Sequence, residues 1–213
     1  MADLLDMWPL SDARELRDRL LAAYDDPARS YHDRRHLTEV CDRIVELLDA
    51  GDDRDGAGVR VDRGTVLLAA WFHDAVYDGE RDAEERSAVW AELELPDAGV
   101  PASVVAEVAR LVRLTETHRP EDDDPAGCVL SDADLAILAA PAGRYAEYAA
   151  DVRREFAHVP DPDFRAGRAA VLRDLLAKPR LFHTAHAREH WEAAARANVE
   201  HELAERTGPS PAR

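Results

Sequence analysis

Four side chains of metal-ligating type fall where an apolar helix face is expected: His36, the adjacent pair His73 and Asp74, and Asp134. His36 precedes Val40 by four residues, Ile44 by eight and Leu47 by eleven, which sets its ring on the apolar side of a helix. His73 and Asp74 follow the run TVLLAAWF, so at least one of them faces the interior. Asp134 stands directly before Leu135, Ile137 and Leu138. A buried carboxylate needs a charge partner above all. Two imidazoles and two carboxylates form a donor set able to hold Zn, Mn, Fe, Co or Ni, and the two negative charges make burial of a divalent ion tolerable. Singly, each residue has a plainer reading, since a histidine on an apolar face is usually a hydrogen-bonded core residue. The HD dipeptide alone decides nothing, because it also occurs at His32–Asp33. The joint occurrence on separate apolar helices carries the metal reading. Asp132 is read instead as a helix-start carboxylate that caps backbone amides.

Helical periodicity recurs almost everywhere in the 213 residues and predicts the elements that must position these groups. Residues 11–25 begin with Ser11 as N-cap, and Leu16, Leu20 and Tyr24 share a face. Further helices are predicted over 32–50, 62–77, 82–94, 101–117, 131–139, 141–158, 162–177 and 184–206. The helix at 62–77 is apolar on most sides and therefore central, with Trp71 and Phe72 in the core. GDDRDGAG after Ala50 and RPEDDDPAG after His118 read as polar loops, and residues 207–213 as a flexible tail. No alternating strand pattern, repeat or long linker breaks the series, so the expectation is a single all-α domain over residues 1–206.

A formal charge of −17 argues against a nucleic-acid polymer or an anionic membrane surface as partner. A small phosphorylated ligand needs local arginines or a metal to hold it against that field. Cys41 and Cys128 form no C-x-x-C and read as small core residues of a reduced interior. The start, MADLLDMWPL, lacks signal-peptide character, and no apolar run reaches membrane-span length, which points to the cytoplasm. Oligomeric state is not readable from sequence.

The order His36, His73–Asp74, Asp134 resembles the HD superfamily of metal-dependent phosphohydrolases, and more narrowly its predicted phosphohydrolases of unassigned substrate. The blocks that carry the likeness are YHDRRH (31–36), FHDAVYD (72–78), EERSA (84–88), TETH (115–118), DADLAIL (132–138), DVRREF (151–156), FRAGR (164–168) and WEAAARANVEHEL (191–203). The resemblance implies an HD-like helical bundle, with a metal-site core at about 31–140 and additional C-terminal helices at about 141–206. It assigns His36, His73, Asp74 and Asp134 to one divalent transition metal ion (Mn, Co, Ni, Zn or Fe), with Mg a further candidate. Ala83 and Ala139 stand where that pattern usually has Asn and Gly.

The implied activity is hydrolysis of a small phosphorylated, nucleotide-like molecule by metal-activated water. Asp74 serves that site directly. Glu84 either orients or deprotonates the water or is a solvated helix-start acid. His118 either touches a phosphate or leaving group or simply suits a helix C-terminus. Arg153 and Arg168 either grip phosphate or form ion pairs, and Tyr31 and His32 either floor the site or pack beside it. Two rivals stand beside the hydrolase: a non-catalytic metal- or nucleotide-binding module, and an HD-fold di-iron oxygenase. The oxygenase needs extra histidines between the HD pair and Asp134, where only His118 is available.

Overall fold

The computed structural model describes residues 3–51 and 61–207, and among them no strand occurs. After a 3₁₀ turn at Leu4–Met7, ten α-helices follow. They are α1 (Arg14–Tyr24), α2 (Arg34–Asp49), α3 (Arg63–Phe72), α4 (Ala83–Glu94), α5 (Ala102–Leu114) and α6 (Pro125–Leu135). A 3₁₀ turn at Ala136–Ala139 leads to α7 (Ala142–Glu155), α8 (Asp161–Ala177), α9 (Ala185–His190) and α10 (Glu192–Thr207). One cluster of buried apolar side chains runs from Leu4 to Val199. At its centre α3 packs against α2, α5 and α6, while α10 lies against α8 and the 136–139 turn. No single helix among the described residues is long and apolar enough to cross a membrane.

Local chemistry sets the ends that matter. The Asp33 side chain accepts from the amides of Arg35 and His36, which starts α2 and points His36, Val40, Ile44 and Leu47 inward. α3 buries every residue from Thr65 to Phe72 and then stops, five residues short of the predicted end. Remote side chains capture its continuing backbone. Arg29 donates to the carbonyls of Asp74 and Ala75 at 2.7 and 3.0 Å, Tyr24 Oη accepts from the Asp74 amide, and Ser87 Oγ accepts from the Val76 amide. His73 and Asp74 are thereby fixed at a helix terminus.

Other boundaries also differ from the sequence reading. α1 begins at Arg14 without a side-chain cap, because residues 10–13 close a turn of their own and leave Ser11 upstream. α6 starts at Pro125 rather than near 131, with Asp124 capping the Gly127 amide and proline at the first turn. A Cβ at Gly127 would meet Asp124 and stand 2.7 Å from the Leu114 side chain, so this tight start requires glycine. The earlier start puts Asp132 inside a helix instead of at its beginning. The segment predicted as one helix over 184–206 breaks at Trp191, whose ring packs edge-on against Phe182. The predicted loop at 51–58 and the tail lie outside the described residues, apart from Gly51 and Thr207.

Candidate metal centre

Two helices and one helix end bring the four metal-type side chains together. His36 comes from the first turn of α2, His73 and Asp74 from the end of α3, and Asp134 from the last turn of α6. The Nε2 atoms of His36 and His73 are 3.1 Å apart. Asp74 Oδ2 lies 3.4 Å from His36 Nε2 and 3.0 Å from His73 Nε2. Asp134 Oδ1 lies 3.2 and 3.7 Å from the same two nitrogens. Both rings are buried, and both carboxylates are nearly so.

His36, His73 and Asp74 present ligand atoms close enough together to hold one ion, and Asp134 lies beside them. Ligand atoms bound at about 2.0–2.2 Å stand about 2.9–3.6 Å apart in octahedral or tetrahedral arrangements. The five separations fall in or at the edge of that range. The His73 tautomer agrees: its Nδ1 donates to the Ala70 carbonyl at 2.7 Å, which leaves the Nε2 lone pair facing the other donors. Two imidazole nitrogens in such contact need a cation between them, whether a proton or a metal ion. The electrostatics point the same way. Burial alone would lower the pKa of His36, but hydrogen bonds and charge from Asp134 and Asp74 push it up to about 10. Burial likewise opposes protonation of His73, and Asp74 and Asp134 outweigh it. Burial would raise both carboxyls, yet the facing histidines hold each below its usual range. His36, His73 and Asp74 could hold a cation here.

Surrounding groups orient this centre. Glu155, at the end of α7, accepts the amides of Ser30, Tyr31 and His32 at 2.8–2.9 Å through one oxygen. Its other oxygen lies 2.7 Å from His32 Nδ1. Burial would raise its pKa, but His32 and those amides bring it down to about 2. His32 stacks on Tyr77 at 4.0 Å, and Tyr31 packs its ring 4.7 Å from that of His36. The Tyr31 hydroxyl is buried and has no hydrogen-bond partner among the described residues, and burial keeps it protonated. Tyr31 and His32 thus form the wall beside His36.

His118 reaches the centre from the opposite side. Its Nε2 is 3.6 Å from Asp134 Oδ2 and its Nδ1 3.3 Å from Ser131 Oγ. The residue occupies the left-handed backbone region, with φ 49°, at a helix end that usually takes glycine. A side chain there costs about 1–2 kcal/mol, and it is spent aiming an imidazole at Asp134. Burial lowers the His118 pKa, so the ring is neutral.

The other predicted residues lie differently. Glu84 is half-buried in the first turn of α4, and its carboxylate makes no hydrogen bond or ion pair among the described residues. Arg153 binds Asp161 and the carbonyls of Phe156 and Val159. Arg168 forms a two-pronged pair with Glu202, both bonds at 2.9 Å, with Tyr145 and Arg206 on the same carboxylate. Both arginines are therefore committed to protein groups. Asp132 accepts the amides of His183 and Thr184 at 2.7–2.9 Å, so it does hold backbone amides, but those of the segment before α9.

Sequence reasoning missed Arg144. Its Nε and Nη2 bind Glu39 at 2.8 and 2.7 Å, while Nη1 is buried without a partner among the described residues. It lines a cavity of about 100 Å³ together with His36, Glu39 and Asp134. Nothing in the local sequence marks it, because the cavity forms only when α2, α6 and α7 meet. Arg29 and Glu155 were missed for the same reason.

No family model matches the sequence, and no curated protein matches it. Among solved structures, the fold is similar to that of a predicted HD superfamily hydrolase from an uncultured Thermotogales bacterium. The two are 22% identical over 91% of this chain and 86% of that one, with a TM-score of 0.48.

Proposed function

We propose that this chain is a metal-dependent phosphohydrolase acting on a small phosphorylated, nucleotide-like molecule. The observation that carries the reading is the convergence of His36, His73 and Asp74, which could hold one ion, with Asp134 3.2 Å from His36 and buried donors nearby that have no partner among the described residues. The order of these same residues along the chain, which resembles that of HD phosphohydrolases, agrees with it. A divalent ion held by these four residues would lower the pKa of a bound water and offset charge on the phosphoryl group.

The remaining work falls to the chain itself. Arg144 Nη1 offers a charged N–H to a phosphoryl oxygen in the small cavity, with its other nitrogens locked on Glu39. Tyr31 contributes a neutral hydroxyl beside His36. His118, neutral and held by Ser131, faces the Asp134 side. Donors fixed before substrate arrives need no reorganisation as charge develops.

Metal analysis of purified protein, followed by phosphate release from a nucleotide panel with added Mn, Co or Ni, tests the proposal. Release is expected in the wild type and absent in Asp74→Ala. Equal release from both would sink the hydrolase reading. Tight binding without turnover would indicate a non-catalytic module, and metal-dependent oxygen consumption an oxygenase.

A further inference from the structure

A second cavity, of about 660 Å³, opens between the end of α5 and the segment joining α8 to α9. Arg119, Lys178 and Arg180 line it with the imidazoles of His118 and His183, against a single acid, Asp174. This sign is opposite to that of a chain with 44 acidic and 27 basic residues. Lys178 is also the only lysine in the sequence; every other cationic side chain among the Lys and Arg is arginine. An ammonium is a compact point charge with rotatable donors, unlike the planar guanidinium used elsewhere.

Two of the three cationic groups are free of ion pairs among the described residues. Arg119 makes no ion pair among the described residues, and Lys178 Nζ has only the His118 carbonyl, at 3.3 Å. Arg180 pairs with Asp122 at the rim. His183 Nδ1 is buried with no hydrogen-bond partner. The wall is also rigid. Glu192 accepts the amides of Leu181 and Phe182 at 3.0–3.1 Å, and Asp132 accepts those of His183 and Thr184. Arg196 holds the Lys178 carbonyl at 2.9 Å. His118 belongs both to this cavity and to the edge of the four-donor centre.

We propose that this cavity binds the phosphate chain of the substrate beyond the phosphorus under attack, so that the preferred substrates are phosphoanhydrides rather than monoesters of uncharged alcohols. The inference rests on the phosphohydrolase reading. In the step it serves, the water oxygen bonds to phosphorus and the bridging P–O bond breaks. The electron pair leaves on the phosphate held in the cavity, and the water's proton passes to solvent. Three cations around that leaving group stabilise the charge it acquires.

Calorimetric titration of the full chain with inorganic pyrophosphate, with and without excess chelator, tests the cavity apart from turnover. Binding is expected to survive chelation and to weaken about tenfold in Lys178→Gln and in Arg119→Gln, the cost of one charge-assisted hydrogen bond. It is expected to persist in Asp74→Ala. Loss of binding on chelation, or wild-type affinity in both cavity variants, overturns the proposal. Chelator-resistant binding without metal-dependent phosphate release upholds the anion site and overturns the hydrolase reading. Turnover without chelator-resistant binding does the reverse.

Discussion

Two buried clusters of charge, one around Glu202 and one around His36, are built on different logic. Around Glu202, the carboxylate receives two bonds from Arg168, one from Arg206 and one from the Tyr145 hydroxyl. Every strong acceptor position there meets a donor, and the cluster is closed. Around His36, the Nε2 atoms of His36 and His73 lie 3.0–3.7 Å from carboxylate oxygens of Asp74 and Asp134, and no Lys or Arg among the described residues pairs with either carboxylate. That cluster is open. Buried charge is tolerated where partners satisfy it, so the closed cluster is explained by stability alone. The open one is balanced by a proton or could hold a metal ion in its place. The same contrast separates Asp132 from Asp134 on a single helix, one committed to backbone amides and the other facing His36.

The contrast breaks most visibly at the donors. Asp74→Ala removes a direct ligand, and since even an outer-shell change costs about 10–100-fold in metal affinity, the expected loss is larger than about 100-fold. Equilibrium dialysis against Mn or Co reads it, and retained affinity would mean that the open cluster is not the metal site. The wild type is expected to rise in melting temperature when metal is added, and the same variant to lose that rise. At the closed cluster the signature is inverted. Glu202→Gln leaves Arg168 buried without its charge partner, for an expected destabilisation of about 3–5 kcal/mol in urea unfolding, with metal affinity unchanged. A smaller effect is expected at Asp132→Asn, which weakens the acceptor for His183 and Thr184 at about 1–3 kcal/mol. Because that segment forms the cationic wall, pyrophosphate binding should fall with it.

The sequence made the open cluster legible and hid the closed one, for a physical reason. His36, His73, Asp74 and Asp134 stand out because each interrupts an apolar period, and period is a local property. Arg168 and Arg153 carry no such mark. Whether an arginine meets a phosphate or a protein acid depends on Glu202, 34 residues away, or on Asp161 across a turn. Helix existence was legible in the same way, and helix ends were not. α3 stops at Phe72 because Tyr24, Arg29 and Ser87 seize its next amides and carbonyls, and none of them is near in sequence. Asp132 shows the intermediate case: its chemistry as an amide acceptor was readable, but the identity of the amides was not. The unpartnered Arg144 nitrogen lay beyond local pattern altogether.

The finest distinction between the clusters is their response to acid. Burial would raise the Glu202 pKa, but Arg168, Tyr145 and Arg206 bring it down to about 2, below the unfolded value near 4.5. A carboxyl depressed on folding contributes stability that is fully present above the unfolded pKa and is lost as pH falls through the folded one. The stability difference between wild type and Glu202→Gln should therefore hold steady above pH about 5 and shrink between about 4.5 and 2. Glu155 titrates over the same window in both proteins, so it cancels in the difference. Chelator should leave this difference untouched, because the closed cluster has no use for an ion. Urea midpoints at several pH values, with and without chelator, measure it. A difference that instead moved with metal would show the two clusters to be one coupled system.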